Sequence, residues 1–242
     1  MTDLHCHILP RMDDGASDLT QTLKMLRQLY RDGVRQIIAT PHFDPEQDDL
    51  AFFVRKRTER MAEVQHACEH SERALPTVQA GAEIMATPTL GQLEGLEQLT
   101  MGDTRFLLVE LPVEDARLAV WAPAMLMELQ QRGFSPILAH AERYPALFDR
   151  DWSLAALVKQ GVSIQINLNT LIHASLRTRL RLRRLFRRGL LHFVGTDAHD
   201  LKERAPNAAQ GVEALKRIAG KKTAHRLLHE QRVYFDQNSR PL

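Results

Sequence analysis

Asp3-Leu4-His5-Cys6-His7 opens the chain and runs on to Asp13-Asp14-Gly15. Along an extended strand successive side chains alternate faces, so His5 and His7 point one way and Cys6 the other. Two imidazoles on one face, two residues apart, can close on a single metal ion. Asp-Asp-Gly is turn chemistry, and a turn there brings carboxylates back towards the histidines. Alone, H-x-H is also what a solvated surface strand can carry. Its weight comes from the recurrence of the same event down the chain.

Short apolar runs alternate with helix-period segments. Strands are expected over residues 2–5, 36–40, 77–81, 106–110, 136–140, 163–167 and 191–195. Helices are expected over 19–32, 48–72, 121–132, 151–160, 175–188 and 211–228. Asp18 reads as an N-cap, and Gly33, Gly133, Gly161 and Gly189 each end a helix just ahead of a strand. Strand, helix, strand at this rhythm specifies right-handed βαβ units and a parallel sheet. Seven such units with no interior break in composition imply an α/β barrel in one domain over 1–242, with only 237–242 loose.

The carboxyl ends of barrel strands converge on one rim, where active sites sit. His5 and His7 end the first strand, and Thr40-Pro41-His42 and Gly81-Ala82-Glu83 follow the second and third. Glu110 ends the fourth, His140 leads into Glu142-Arg143-Tyr144 after the fifth, and Asn167 and Asn169 close the sixth. Thr196-Asp197-Ala198-His199 follows the seventh, and Asp14 enters from the first loop. So many imidazoles and carboxylates are too many for one ion and suit two or three, with a carboxylate bridging neighbours. Nitrogen and oxygen donors without a thiolate suit Mn, Fe or Zn. Arg143 and Arg204 follow these ligands closely, and a planar guanidinium matches two phosphate oxygens at once. Glu142 and Asp200 are candidates to fix histidine tautomers. Phe43 and Tyr144, each beside a rim residue, are the aromatics expected to line a substrate mouth.

The net charge of the 242-residue chain is only +2, which argues against a nucleic-acid partner or membrane insertion. No apolar run approaches the ~18 residues of a membrane span. The metal-like motif leaves no room for a signal peptide, and two cysteines make no disulfide framework, so a cytoplasmic location is expected. A thiol phosphatase needs Cys-x5-Arg, whereas Cys6 and Arg11, like Cys68 and Arg73, stand five apart rather than six. Gly220-Lys221-Lys222-Thr223 lacks the leading glycine and strand of a phosphate-binding loop. Residues 176–188 hold seven arginines among leucines. These read first as a solvated outer helix face, and second as a dock for an acidic partner or neighbouring subunit.

Taken in order, D-x-H-x-H, D-D-G, T-P-H, G-x-E, H-x-E-R-Y and T-D-x-H resemble the polymerase-and-histidinol-phosphatase superfamily of metal-dependent phosphoesterases. Within it the wording is most similar to the bacterial manganese-dependent tyrosine-protein phosphatases of capsule and exopolysaccharide synthesis. The resemblance spans essentially the whole chain and implies a distorted (β/α)7 TIM-like barrel with a trinuclear site at the strand ends. It implies a first ion on His5, His7, Glu83 and Asp197, and a second on Glu83, Glu110 and His140. A third would fall to Asp14, with Asp13 the neighbouring candidate, and to His42 and His199. Mn2+ is the ion it favours, with Fe and Zn still open. Arg143 and Arg204 match the family's phosphate-binding arginines, and with His42 and Asp197 they form the catalytic candidates. Ala141 stands where the family often has proline, which alters loop stiffness more than chemistry. The implied substrate is a phosphotyrosine protein such as the tail of a bacterial tyrosine kinase, with an oligomer compatible with the sequence. A small-molecule phosphatase, such as one for histidinol phosphate, and a non-catalytic metal-stabilised module are the alternatives.

Overall fold

A computed structural model describes residues 1–113, 118–148 and 151–235 of the chain. Residues 237–242, expected to be loose, lie outside the described residues. The expected strands form, some in shifted or divided shape. β1 (Thr2–Cys6) is followed by α1 (Leu19–Arg31), whose first turn is closed by Asp18 accepting from the Gln21 N–H at 2.8 Å. The chain leaves that helix through Gly33 at φ 90°, a conformation that side chains with a Cβ rarely adopt.

The second expected strand is β2 (Gln36–Ala39), interrupted at Thr40-Pro41 and resumed as the two-residue β3 (His42–Phe43). The third is likewise β4 (Thr77–Ala80), broken at Gly81-Ala82 and resumed as β5 (Glu83–Met85). Between these two pairs runs α2 (Leu50–Glu69). β6 (Phe106–Glu110), α3 (Leu118–Gln131), β7 (Ser135–Leu138), the short α4 (Pro145–Phe148) and α5 (Asp151–Lys159) follow. Then come β8 (Ser163–Asn167), the short α6 (Leu168–His173), α7 (Leu176–Arg187) and β9 (Phe193–Gly195). The last expected helix is two, α8 (Ala208–Ala219) and α9 (Lys221–Phe235). Gly220 divides them at φ 88°, which the hydrophobic period alone does not reveal.

Every pairing among the described residues is parallel. β1 pairs with β2 and β2 with β4, while β3, β5, β6, β7, β8 and β9 pair in that order. The sheet curls until its ends meet. Cys6 bridges Ala198, the His7 N–H donates to the Ala198 carbonyl at 2.9 Å, and the Asp197 N–H donates to the His5 carbonyl at 2.8 Å. The result is an α/β fold around a curled parallel sheet. Leu4, Ile38, Leu108, Ile137 and Phe193, one from each of five strands, fill the concave side. The opposite faces bury Ile37 and Ala39 against Met25, Leu26 and Leu29, and Val109 and Ile164 against Leu126, Leu154 and Leu185. The β1–β2 register slips between Asp3 and Cys6, so Leu4 joins the concave cluster and Cys6 the outer one.

Closure of the curl needs a glycine beside β1. A Cβ at Gly195 would sit 2.6 Å from the His5 Cβ and 3.3 Å from the His5 nitrogen. Gly195→Ala is expected to cost about 1–3 kcal/mol by overpacking, which lowers Tm by about 2–4 °C per kcal/mol in a chain of this size. Thermal unfolding followed by circular dichroism checks this, and an unchanged Tm would mean that β9 and β1 can part enough to admit a methyl group.

Candidate metal centre

The strand ends bring the expected residues together. One donor atom from each of His5, His7, Glu83 and Asp197 lies within 4.8 Å of the others. The same holds for His7, Asp14, His42 and His199, and for His42, Glu83 and Glu110. His140 reaches Glu83 at 2.7 Å and Glu110 at 3.3 Å through Nε2. His5, His7, Glu83, His140, Asp197 and His199 are buried. The His42 side chain is 37% exposed and Asp14 is 64% exposed, so these two face solvent at the mouth.

Local backbone explains how the groups converge. The break at Gly81-Ala82 sets the Glu83 N–H against the Pro41 carbonyl at 3.0 Å, and His42 pairs with Glu83 across β3 and β5. His140 and Asp197 take φ of 29° and 54°, which few residues with a Cβ adopt. Each costs about 1–3 kcal/mol, and such strain clusters at functional sites. The His140 N–H donates to Gln165 Oε1 at 2.6 Å, which helps hold the first of these turns.

Most of the histidines have a partner on the ring nitrogen turned away from the cluster. His7 Nδ1 lies 2.7 Å from Asp13 Oδ2, leaving Nε2 aimed at Glu83. His140 Nδ1 lies 3.2 Å from the Tyr144 hydroxyl, which accepts from the Leu111 N–H at 3.0 Å. His199 Nδ1 lies 3.0 Å from the Asp197 carbonyl, and His5 Nδ1 is 3.5 Å from Gln165 Oε1. Outer partners of this kind fix the tautomer and orientation of metal-bound imidazoles.

The donors fit metal ions. His5 Nε2 and His7 Nε2 face each other at 3.2 Å, an arrangement that a shared cation between or beside them would favour. Glu83 Oε2 and His199 Nε2 are buried with no hydrogen-bond partner. Burial disfavours the charged form of Glu83, but His5's charge, the hydrogen bond from His140 to Oε1 and the His5 and His7 rings close to Oε2 outweigh it and hold the carboxyl well below its ordinary value. Burial likewise opposes charge on His140, yet hydrogen bonds to Glu110 and Glu83 push it up to about 9. At His199 burial and then the charge of His7 act together, bringing it down to about 3.

Both arginines converge on one carboxylate. Arg143 Nη2 donates to Asp197 Oδ2 at 2.7 Å and Arg204 Nη2 to Asp197 Oδ1 at 2.8 Å. Asn167 Nδ2 adds a third donation to Oδ2 at 2.8 Å.

Several expectations need correction. Phe43 and Tyr144 do not line a mouth, since both rings are buried, Phe43 against Phe53 and Tyr144 beneath His140. Among the described residues, neither Glu142 nor Asp200 forms a side-chain hydrogen bond or ion pair with a histidine. Glu142 Oε1 accepts from the Asn167 N–H at 2.8 Å and the Thr170 hydroxyl at 2.9 Å, bracing the start of α6. Asp200 accepts from the backbone N–H groups of Lys202 and Arg204. Asp13 and Asp14 divide the work left open between them: Asp13 backs His7, while Asp14 stands 3.3 Å from His199 Nε2 and 3.5 Å from His42 Nε2. Gln165, which touches His5, His140 and Asn167, was not anticipated. Its signal was the alternation Ser163-Ile164-Gln165-Ile166-Asn167, which puts Gln165 and Asn167 on one face.

Fold and side chains thus define a class: a parallel α/β protein whose strand ends carry a candidate multi-metal centre flanked by two arginines. The chain belongs to the capsular polysaccharide synthesis family CpsB/CapC, which matches residues 1–234. It is 31% identical over 233 residues to the tyrosine-protein phosphatase YwqE of Bacillus subtilis, covering 94% of this chain and 88% of that one. It is 28% identical to the tyrosine-protein phosphatase CpsB of Streptococcus agalactiae, covering 95% and 96%. A solved structure from work on YwqE of Bacillus subtilis and CpsB of Streptococcus pneumoniae, described as unique metal-dependent tyrosine phosphatases, superposes with a TM-score of 0.84. It covers 100% of this chain and 96% of that one at 28% identity.

Asp13→Asn removes the negative charge behind His7 while keeping the side chain's shape. Divalent-metal affinity is expected to fall about 10–100-fold, read by competition against a chromophoric chelator. Unchanged affinity would leave Asp13 only a loop brace.

Proposed function

We propose that the chain is a metal-dependent phosphomonoesterase that hydrolyses phosphotyrosine in a protein. In this reading it is one domain over 1–242, a distorted (β/α)7 barrel with its metal site at the carboxyl ends of the strands. Its substrate would be a bacterial tyrosine kinase of polysaccharide synthesis or export, met in the cytoplasm. The observation that carries the reading is the buried imidazole–carboxylate cluster, with Arg143 and Arg204 both drawn to Asp197. The names of the relatives support tyrosine as the phosphate bearer. No described helix is long and apolar enough to cross a membrane, which is compatible with the proposed location.

His5, His7, Glu83 and Asp197 would hold a first ion, Glu83, Glu110 and His140 a second, and Asp14, His42 and His199 a third. The structure adds His42 within reach of the second group and His7 within reach of the third. Ions held there, Mn2+ or Fe or Zn in its place, would supply hydroxide near neutral pH and a hold on phosphate oxygens. Arg143 and Arg204 offer guanidinium N–H donors to the remaining phosphate oxygens and offset the charge that an attacking anion meets. Asp197 orients both arginines from beneath. Asp13, Gln165 and the Tyr144 hydroxyl keep the imidazoles in place.

Leaving-group chemistry favours the phenol. Glu142 Oε1 is held by the Asn167 N–H and the Thr170 hydroxyl at the start of α6, with Oε2 buried and unpartnered, and Asp200 accepts from backbone N–H groups, so the carboxyls beside the arginines serve the loops that carry them. A tyrosine phenolate, whose conjugate acid has a pKa of about 10, leaves with little protonation. An alkyl alcohol needs a placed acid.

A chelator is expected to abolish hydrolysis of a phosphotyrosine peptide and added Mn2+ to restore it. The same peptide should exceed a phosphoserine peptide and histidinol phosphate in kcat/KM by ~10-fold or more, about 1.4 kcal/mol of transition-state discrimination. Turnover by thoroughly metal-free protein would overturn the mechanism, and histidinol phosphate matching the peptide would overturn the substrate. Arg204→Ala is expected to keep normal metal content while kcat/KM falls about 10²–10³-fold, the scale of one lost oxyanion contact. Parental activity in that variant would remove Arg204 from the phosphate clamp.

A further inference from the structure

Outside the metal centre, the most uneven feature of the chain is its charge. No Asp or Glu occurs between Asp151 and Asp197, a stretch that contains Lys159 and the seven arginines of 176–188. With a net charge of only +2 for the whole chain, the cationic charge is therefore concentrated rather than shared out. Solubility calls for charges of both signs interspersed, whereas one sign gathered in one place makes a local field.

The structure gives that charge a shape. α7 buries Leu182, Leu185 and Phe186 and leaves Leu176 and Leu180 exposed. Between α7 and α8 lies a cavity of about 160 Å³, with Leu171, Ala214 and Ile218 as its apolar part and Arg179, Arg183 and Arg217 around them. Arg183 Nε donates to the Ile218 carbonyl at 3.3 Å, which pins that guanidinium against the last turn of α8. Among the described residues, no carboxylate forms a salt bridge with Arg179, Arg183 or Arg217. Glu213 of α8 instead accepts from Lys216 at 2.6 Å and feels Arg217 only through space. Three guanidinium groups without an anionic partner, gathered at one small cavity, suit carboxylates presented by another chain.

We propose that the Arg179–Arg183–Arg217 cavity docks an acidic segment of the protein substrate, a reading that rests on the phosphatase function above. It binds Asp or Glu side chains some residues away from the phosphotyrosine. α6 connects the two places: it leaves β8 at Asn167, which bonds Asp197, and reaches Leu171 four residues on, about 6 Å along the axis. An extended peptide covers about 3.3 Å per residue, so a short segment can occupy both. A lipid surface fits less well, because it takes a convex apolar face, whereas this site is a concavity and the exposed apolar residues of α7 are Leu176 and Leu180.

The test compares the parent with Arg179→Glu/Arg217→Glu on three substrates at low salt: a phosphotyrosine peptide with an acidic flank, one with a neutral flank, and a small aryl phosphate. The double variant should raise KM for the acidic peptide about 10-fold, equivalent to about 1.4 kcal/mol, with kcat kept and the difference shrinking at high salt. The neutral peptide and the aryl phosphate should be unaffected. Should the aryl phosphate also fall, showing a damaged fold, the milder Arg179→Ala/Arg217→Ala pair is read instead, with about a 5-fold rise in KM expected from two lost surface pairs. Equal loss on both peptides, or loss on neither, overturns the proposal. Fluorescence anisotropy of the unphosphorylated acidic peptide gives a readout that needs no turnover: the parent should bind it and the variant more weakly. If the parent hydrolyses none of the three substrates, the phosphatase reading fails while anisotropy still judges the cavity. Sedimentation of the parent, but not the variant, with phosphatidylserine vesicles, and no effect on either peptide, would replace the acidic segment with a membrane and overturn the proposal.

Discussion

Glu83 is a carboxylate buried to 1% exposure, and the arrangement around it follows from that burial. An ionised group taken out of water is costly unless charge and hydrogen bonds meet it on every side. Here the imidazoles of His5, His7, His42 and His140 approach its two oxygens at 2.7–3.2 Å. These histidines come from three places around the curled sheet, the ends of β1 and β7 and the short β3, so the carboxylate depends on the curl being closed. The closure depends in turn on the Cys6–Ala198 bridge and on the bare Cα of Gly195 beside His5. Fold and cluster are one problem: a flat sheet with the same residues would leave the Glu83 charge short of partners.

That dependence explains which features were legible in the sequence. Apolar runs, glycine stops and one polar residue after each run are local signals, and the parallel βαβ rule converts them into convergence on one rim. So β6, β8 and the capped span of α7 could be read directly, and the ring of His and carboxylate residues with them. Less legible was whatever depended on neighbours. The breaks that divide β2 from β3 and β4 from β5 are two residues each, too short to disturb the pattern. Yet they set His42 and Glu83 side by side. Phe43 and Tyr144 look like mouth residues by sequence adjacency, but the side chain beside a rim ligand turns away from it. Phe43 packs on Phe53, and Tyr144 serves His140 from below. Gln165 was hidden because one glutamine in an apolar strand carries no chemistry until its three partners are known.

Exposure divides the centre into a floor and a rim. The floor is buried, and the outer nitrogens of its imidazoles are held by Asp13, Tyr144, Gln165 and the Asp197 carbonyl, while Glu83 Oε2 and His199 Nε2 are left to face the centre. The rim consists of Asp14, His42, Arg143 and Arg204, with side chains between 33% and 64% exposed. These are the most exposed of the described members, Glu110 following at 12%, so an anion that approaches the centre meets two guanidinium groups before it reaches the floor. No described aromatic stands among them, so the rim recognises the charged group more than the ring that carries it. Discrimination among phosphorylated chains must then come from residues farther along the surface.

Asp197 joins floor to rim. Its Oδ1 stands 3.4 Å from His5 Nε2 and 3.5 Å from His7 Nε2 while accepting from Arg204, and its Oδ2 accepts from Arg143 and Asn167. A carboxylate reached by two imidazoles, two guanidiniums and an amide must leave the strand at an angle that ordinary extended backbone does not give. The positive φ of 54° at Asp197 supplies that angle. The hydrogen bond from its N–H to the His5 carbonyl, part of the seam that closes the sheet, helps hold the strain. The two guanidiniums and the imidazoles of the candidate centre are therefore set by the same residue on the same seam. Neither set can shift without disturbing the other, which is how a centre built from several separate strand ends keeps one geometry.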